Sequence, residues 1–202
     1  MPATELRVGG LTPLTTIDFP GELAAVVFCQ GCPWRCRYCH NPELLASRGE
    51  VQIPWRDIVE FLRRRQGLLD AVVFSGGEPT LQRALPAAVT EVKGLGFKVG
   101  LHTAGPYPQR LSALLPRLDW VGLDIKTLPS DYAELTGVRG SGRRAWESAE
   151  ILIHSRIPHE IRTTLETDLI TPSMLGEIGD RLQGLGPTRH RVQPCNPPRL
   201  FQ

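Results

Sequence analysis

The 202 residues predict an α/β fold, a partial (β/α)6 barrel, on three observations. Six short runs recur along the chain. Each closes on a polar loop containing glycine or proline and is followed by a stretch of helical periodicity, the pattern of βαβ units around a parallel sheet. Several runs are apolar without strict alternation, as parallel strands covered on both faces are. A closed eight-stranded barrel takes about 250 residues. This chain is shorter and has six units, so the barrel is partial; a flavodoxin-like open sheet is the alternative.

The chain divides into a lead-in at 1–22, the barrel at 23–193 and a tail at 194–202, all within one domain. The first strand is expected over 23–29 (LAAVVFC). The others follow at 71–75 (AVVFS), 97–102 (FKVGLH), 120–125 (WVGLDI), 159–165 (HEIRTTL) and 189–193 (RHRVQ), the last of them polar. Four helices lie between. Pro54 suits a first helical turn, and Trp55, Ile58, Val59 and Leu62 then share a face. Leu81, Leu85, Ala88, Val92 and Leu95 form a second stripe, ended by Gly94 and Gly96. Trp146, Ala149, Leu152 and Ile153 form a third, and Thr171-Pro172 reads as N-cap and first turn of a helix through Leu182. These stripes are core faces.

Composition narrows the function. Apolar residues are 41% and charged residues 22%, which argues for an ordered globular chain. A net charge of +2 gives no strong attraction to nucleic acid or to a membrane surface, and neither is expected as a partner. The start, MPATELRVGG, lacks a cationic segment followed by an apolar one, and no apolar run approaches the length of a membrane span, so a cytoplasmic protein is expected.

In either architecture the site lies at the carboxyl ends of the strands. Four of the five cysteines stand there, after the first strand: Cys29, Cys32, Cys36 and Cys39. The last three form C-x3-C-x2-C on one short loop, which can curl around a single metal centre. Thiolates are soft ligands that select iron–sulfur clusters or zinc. Zinc would need Cys29 as fourth ligand, but Cys29 closes an apolar strand, where cysteine is commonly a small buried hydrophobe. Three ligands on a four-iron cluster leave one iron open, the mark of a catalytic centre. After the second strand comes Ser75-Gly76-Gly77-Glu78-Pro79. Two glycines let backbone approach a ligand, and the glutamate offers an acceptor to an ammonium group.

The cysteine loop with Tyr38, the Gly-Gly-Glu-Pro loop and the six βα units together resemble the radical S-adenosylmethionine superfamily. Within it, the segment 29–42 (CQGCPWRCRYCHNP) is similar to the activases of glycyl-radical enzymes. The lead-in 11–21 (LTPLTTIDFPG) also resembles theirs, with Phe19 where a glycine is usual. The resemblance implies a [4Fe-4S] cluster held by Cys32, Cys36 and Cys39. It implies S-adenosylmethionine as the second cofactor, chelated at the open iron and cleaved by one electron to a 5′-deoxyadenosyl radical. That radical would abstract hydrogen from a glycine of a partner, expected to be anaerobic ribonucleotide reductase, with reduced flavodoxin or ferredoxin as electron donor.

Residue by residue, the resemblance places Tyr38 near the adenine, with His40 and Asn41 beside it; His40 is expected to make a supporting hydrogen bond rather than ligate. Gly76, Gly77 and Glu78 would meet the methionyl ammonium. Thr103 and Gly105 agree with the activase pattern Asp-Thr-Asn-Gly, while His102 and Ala104 depart from it. Asp124 and Lys126, two apart on a strand, point the same way and would bracket the polar half of the cofactor. Arg162 would meet its carboxylate. The competing readings are a superfamily enzyme acting on a small molecule, such as 7-carboxy-7-deazaguanine synthase, and a non-catalytic zinc or electron-transfer module. Cys29 and Cys195 are left without an assigned role.

Overall fold

The computed structural model describes residues 1–166 and 169–195; most of the predicted 194–202 tail therefore lies outside the described residues. Among the described residues, seven strands form one sheet in chain order: β1 Val8–Thr15, β2 Ala24–Cys29, β3 Ala71–Gly76, β4 Lys98–Thr103, β5 Trp120–Asp124, β6 His159–Leu165 and β7 His190–Pro194. From β2 to β7 every pairing is parallel. Sequential order excludes the flavodoxin-like alternative, whose strand order reverses at its first strand. β1 and β7 are the two edges, so the barrel is partial, as the chain length implied.

β1 belongs to the lead-in, where no strand was expected. It pairs antiparallel with β2, with Leu11 opposite Val27, and the register breaks between Thr12 and Thr15. Two prolines and two glycines near or within it hide its periodicity from sequence reading.

The helices are α1 Trp55–Arg63, α2 Leu85–Gly94, α3 Pro108–Leu114, α4 Tyr132–Thr136, α5 Ser141–His154 and α6 Pro172–Leu185. The sequence marked four of these. α3 and α4 are too short to show a helical period. Thr171 caps α6 as expected, its hydroxyl accepting from the Met174 N–H at 3.2 Å.

Strand pleating sorts the core into two parts. On β2, Ala25, Val27 and Cys29 join the large core between sheet and helices, with Ile58, Val89, Leu111 and Leu152. Ala24 and Val26 face a small inner core with Ala71, Val73, Phe19 and Trp120. Phe19 lies in the lead-in and reaches into the barrel, its ring 5.6 Å from that of Trp120. A Cβ on Gly100 would come within 2.9 Å of it, so β4 is bare where Phe19 enters. The lead-in residue that departs from the activase pattern is therefore an interior plug, placed below the carboxyl ends of the strands.

Candidate functional site at the carboxyl ends of the strands

The cysteine loop begins where β2 ends. Cys29 is fully buried in the large core, and burial pushes its thiol pKa well up. The Gly31 and Cys32 N–H groups donate to the carbonyls of Leu44 (2.8 Å) and Leu45 (3.1 Å), pinching the segment between them into a closed loop. The buried Gln30 side chain donates to the carbonyls of Glu43 and Ala46 and braces the same neck. The middle of the loop hangs on α4: the N–H groups of Arg35 and Arg37 donate to the carbonyls of Thr136 and Leu135 at 2.9 and 3.2 Å. Trp34 packs edge-on against Tyr132 of the same helix. Cys32 and Cys36 are half-buried, and burial pushes Cys32 to about 12 and raises Cys36. A bound metal would have to displace these protons.

The Gly-Gly-Glu loop rests on the neck of the cysteine loop. The Gly77 N–H donates to the Cys29 carbonyl and the Glu78 N–H to the Gly31 carbonyl, both at 2.9 Å. A Cβ on Gly77 would sit 2.5 Å from the Gly31 carbonyl oxygen and 2.8 Å from that of Leu44, so only glycine fits. Glu78 corrects the sequence expectation. Its side chain does not line the cavity. It is 1% exposed, and its carboxylate accepts from the Thr80 N–H and hydroxyl, the Thr103 hydroxyl (2.7 Å) and the Ala104 N–H (3.0 Å). Burial raises its pKa, and these donors pull it back only in part. Glu78 ties the loop after β3 to the loop after β4; it is not an open acceptor for an ammonium group.

Across the cavity stands a charged set. Asp124 ends β5 and accepts from Arg162 of β6 at 3.0 and 2.9 Å, with Lys126 Nζ at 3.9 Å. Burial alone would raise the Asp124 carboxyl; Arg162, then Lys126, reverse this and hold it below its ordinary value. The Arg162 guanidinium lies where a Cβ on Gly122 would come within 3.0 Å of it, so β5 is bare beneath it. His102 lies below, edge-on to Trp120, its Nε2 2.9 Å from the Asp18 carbonyl oxygen. Burial, with Arg162 nearby, drives its pKa down to about 4.

One cavity gathers these elements. Cys32, Cys36, Cys39, Tyr38, His40, Asn41, Gly76, Gly77, Thr103, Asp124, Lys126 and Arg162 all line it, joined by Trp34, Ser75, His102, Thr164 and Gln193. Of the residues named from sequence, Glu78 alone is withdrawn from it. His40 lies 3.8 Å (Nε2) from the Cys195 sulfur, so β7 brings this thiol to the rim. Sequence reading passed over Trp34, Gln30, Tyr132 and Gly122. Gly122 had a signal, a glycine inside an apolar strand, which marks close approach. α4 had none.

Among the described residues, three buried side-chain polar atoms have no hydrogen-bond partner: Trp34 Nε1, Tyr38 Oη and Thr127 Oγ1. Two belong to the cysteine loop and the third is next to Lys126. Buried polar groups are ordinarily satisfied, so the two orphans on residues that line the cavity, Trp34 and Tyr38, mark where a further group belongs. Three thiols on one loop, orphaned donors beside them and a zwitterion-sized charge pattern opposite fit an iron–sulfur cluster with an amino acid-bearing ligand.

Residues 26–183 match the radical SAM superfamily, and the chain belongs to it. The cofactors of that superfamily are a [4Fe-4S] cluster and S-adenosylmethionine. Among its relatives, a Methanocaldococcus jannaschii protein named as a glycyl-radical enzyme activating enzyme is 35% identical over 140 residues, 67% of this chain and 56% of the relative. The pyruvate formate-lyase-activating enzyme of Clostridium pasteurianum is 31% identical over 146 residues, 70% of this chain and 60% of the relative. The chain thus spans a little over half the length of these curated relatives. The crystal structure of Streptococcus suis SuiB bound to S-adenosylmethionine shares the fold, with a TM-score of 0.69 at 19% identity over 85% of this chain and 40% of that one. Among the described residues no helix is long and apolar enough to cross a membrane.

Proposed function

We propose that the chain is an activase: it generates a glycyl radical on a partner enzyme, using S-adenosylmethionine and one [4Fe-4S] cluster. The observation that carries this reading is the single cavity that collects the three loop cysteines, the Gly-Gly turn and the Asp124–Lys126–Arg162 set in a chain of this superfamily. The names of its relatives support the class of partner. Within that class, the segment 29–42 favours anaerobic ribonucleoside-triphosphate reductase, with reduced flavodoxin or ferredoxin as donor.

Cys32, Cys36 and Cys39 would hold the cluster, and Cys29 stays in the core. When bound there, a cluster would supply the electron for reductive cleavage of a carbon–sulfur bond of S-adenosylmethionine. The chain's own residues bind and orient. Asp124 suits the methionyl ammonium, Lys126 and Arg162 its carboxylate, and Gly76 and Gly77 let backbone approach. Thr103 fixes the loop opposite, Tyr38 faces the adenine side with Asn41, and His40 backs the loop. Phe19 and Trp120 seal the barrel below and keep water from a radical above.

The test is anaerobic reconstitution followed by reduction. Iron should reach about four atoms per chain, as such a cluster requires, and remain so in Cys29→Ala while falling sharply in Cys32→Ala, Cys36→Ala and Cys39→Ala. The reduced protein should release 5′-deoxyadenosine and methionine. Mixed with anaerobic ribonucleotide reductase it should produce a glycyl radical by electron paramagnetic resonance. A radical formed only on pyruvate formate-lyase would reassign the partner, and turnover of a free small molecule without any partner would overturn the activase reading.

A further inference from the structure

The indole of Trp34 is 1% exposed and its Nε1–H has no acceptor. The residue sits between Cys32 and Cys36 in the chain and lines the same cavity. Oxygens of its own loop and of the ring it packs against have other donors. The carbonyls of Cys32 and of Trp34 itself accept from the Arg35 guanidinium at 2.8 and 3.0 Å. The Tyr132 hydroxyl, on the ring Trp34 packs against, accepts from the Lys126 N–H at 2.8 Å. A buried indole N–H normally has a partner, so the bulk of Trp34 is accounted for by packing but its orphaned donor is not. Two other tryptophans show the ordinary outcome: buried Trp55 donates to Glu91 and half-buried Trp146 to the Thr127 carbonyl.

We infer that the Trp34 indole N–H donates a hydrogen bond to a sulfur atom of the iron–sulfur cluster and thereby raises its reduction potential. The inference rests on the reading of Cys32, Cys36 and Cys39 as ligands. Reduction adds negative charge to the cluster sulfurs, so a donor aimed at one of them favours the reduced form, and hydrogen bonds to sulfur are among the factors that set such potentials. The chain thus carries, within its ligand loop, a residue that eases delivery of the electron its chemistry needs. Trp34 is a positioning and tuning residue in this account.

The experiment uses the reconstituted full chain, wild type and Trp34→Phe, both labelled with 15N at the indole nitrogen of tryptophan. Pulsed electron paramagnetic resonance of the reduced wild-type cluster should show a 15N coupling and an exchangeable-proton coupling, both missing from Trp34→Phe. The variant's midpoint potential should move to a more negative value at unchanged iron content. No 15N coupling in the wild type overturns the bond, and an unchanged midpoint in Trp34→Phe overturns its role. Should Trp34→Phe fail to hold iron, the wild-type coupling decides alone. Failure of the ligand assignment shows separately, as iron retained in the cysteine variants.

Discussion

Two adjacent loops at the top of the barrel are built on opposite terms. The loop after β3 has the partners of its one buried charge within the protein. Glu78 is buried and its carboxylate is met by two N–H groups and two hydroxyls. The loop after β2 is braced at its neck by its own Gln30 and borrows the shape of its middle from α4 carbonyls, and it keeps two orphaned donors, on Trp34 and Tyr38. One loop is a finished wall; the other is a mould that closes around a group. Variants in the wall should therefore cost stability of the metal-free protein, and variants in the mould should cost what the protein binds.

The largest effect is expected where wall and mould touch. Gly77→Ala drives a Cβ into the carbonyls of Gly31 and Leu44, both backbone. Neither can turn aside as a side chain would, so the metal-free fold should lose about 4 kcal/mol or more, at the exceptional end of single substitutions. A thermal midpoint within a few degrees of wild type would mean that the two loops slide freely.

Glu78→Ala should come next. It leaves the Thr80 and Ala104 N–H groups buried without an acceptor, at about 1–3 kcal/mol each. A loss of roughly 3 kcal/mol corresponds to a midpoint lower by roughly 6–12 °C in a chain of this size. The effect should appear in metal-free protein by calorimetry. A variant that keeps its midpoint and loses only S-adenosylmethionine binding would restore Glu78 to the cavity.

What was legible in the sequence follows the same division. Cysteine spacing, the glycine pair and the Asp-x-Lys pair are local patterns, and each sits in the cavity where those patterns pointed. β2, β3 and β5 were readable because burial on both faces leaves nearly unbroken apolar runs, whereas β7 is polar and mostly exposed and shows no such run. Glu78 was misread because a strand-end carboxylate looks the same in sequence whether it faces a ligand or four donors. Thr80 and Thr103, which decide the matter, come from separate units. β1 was missed because Gly9, Gly10 and Pro13 interrupt its periodicity, and it becomes a strand through pairing with β2. The role of α4 could not be seen at all: five residues contribute two carbonyls and a tyrosine ring to a loop about a hundred positions earlier.

The floor beneath the wall gives a third, pH-dependent effect. His102 is held neutral, with a folded pKa of about 4 against about 6.5 in the unfolded chain. Between those values the unfolded chain binds a proton that the fold refuses. The contribution of His102 to stability of the metal-free protein should therefore fall on acidification from pH 6.5 toward 4 and level off below. The slope is at most about 1.4 kcal/mol per pH unit, and near pH 5.5 the loss is about 1 kcal/mol. His102→Gln should flatten this limb in denaturant titrations at stepped pH; an unchanged slope would place the proton uptake elsewhere.

The smallest effect has the most telling sign. Tyr38 is 4% exposed, its hydroxyl is orphaned, and burial pushes its pKa to about 12, so it stays protonated. Removing a buried hydroxyl that has a partner normally costs stability. Here the metal-free fold makes no such bond, and Tyr38→Phe removes only an unmet desolvation cost. The variant should be neutral or more stable by up to about 1 kcal/mol. The ring persists in the variant, so the contact with Lys126 Nζ, 5.4 Å above it, is retained in part. Loaded protein should respond the other way, with weaker S-adenosylmethionine binding, because the hydroxyl's partner arrives with the group the cavity takes. Measuring both midpoint and binding on one variant pair separates the cases. Destabilisation of the metal-free protein by Tyr38→Phe would show that the mould was already closed, and the contrast between the two loops would fail.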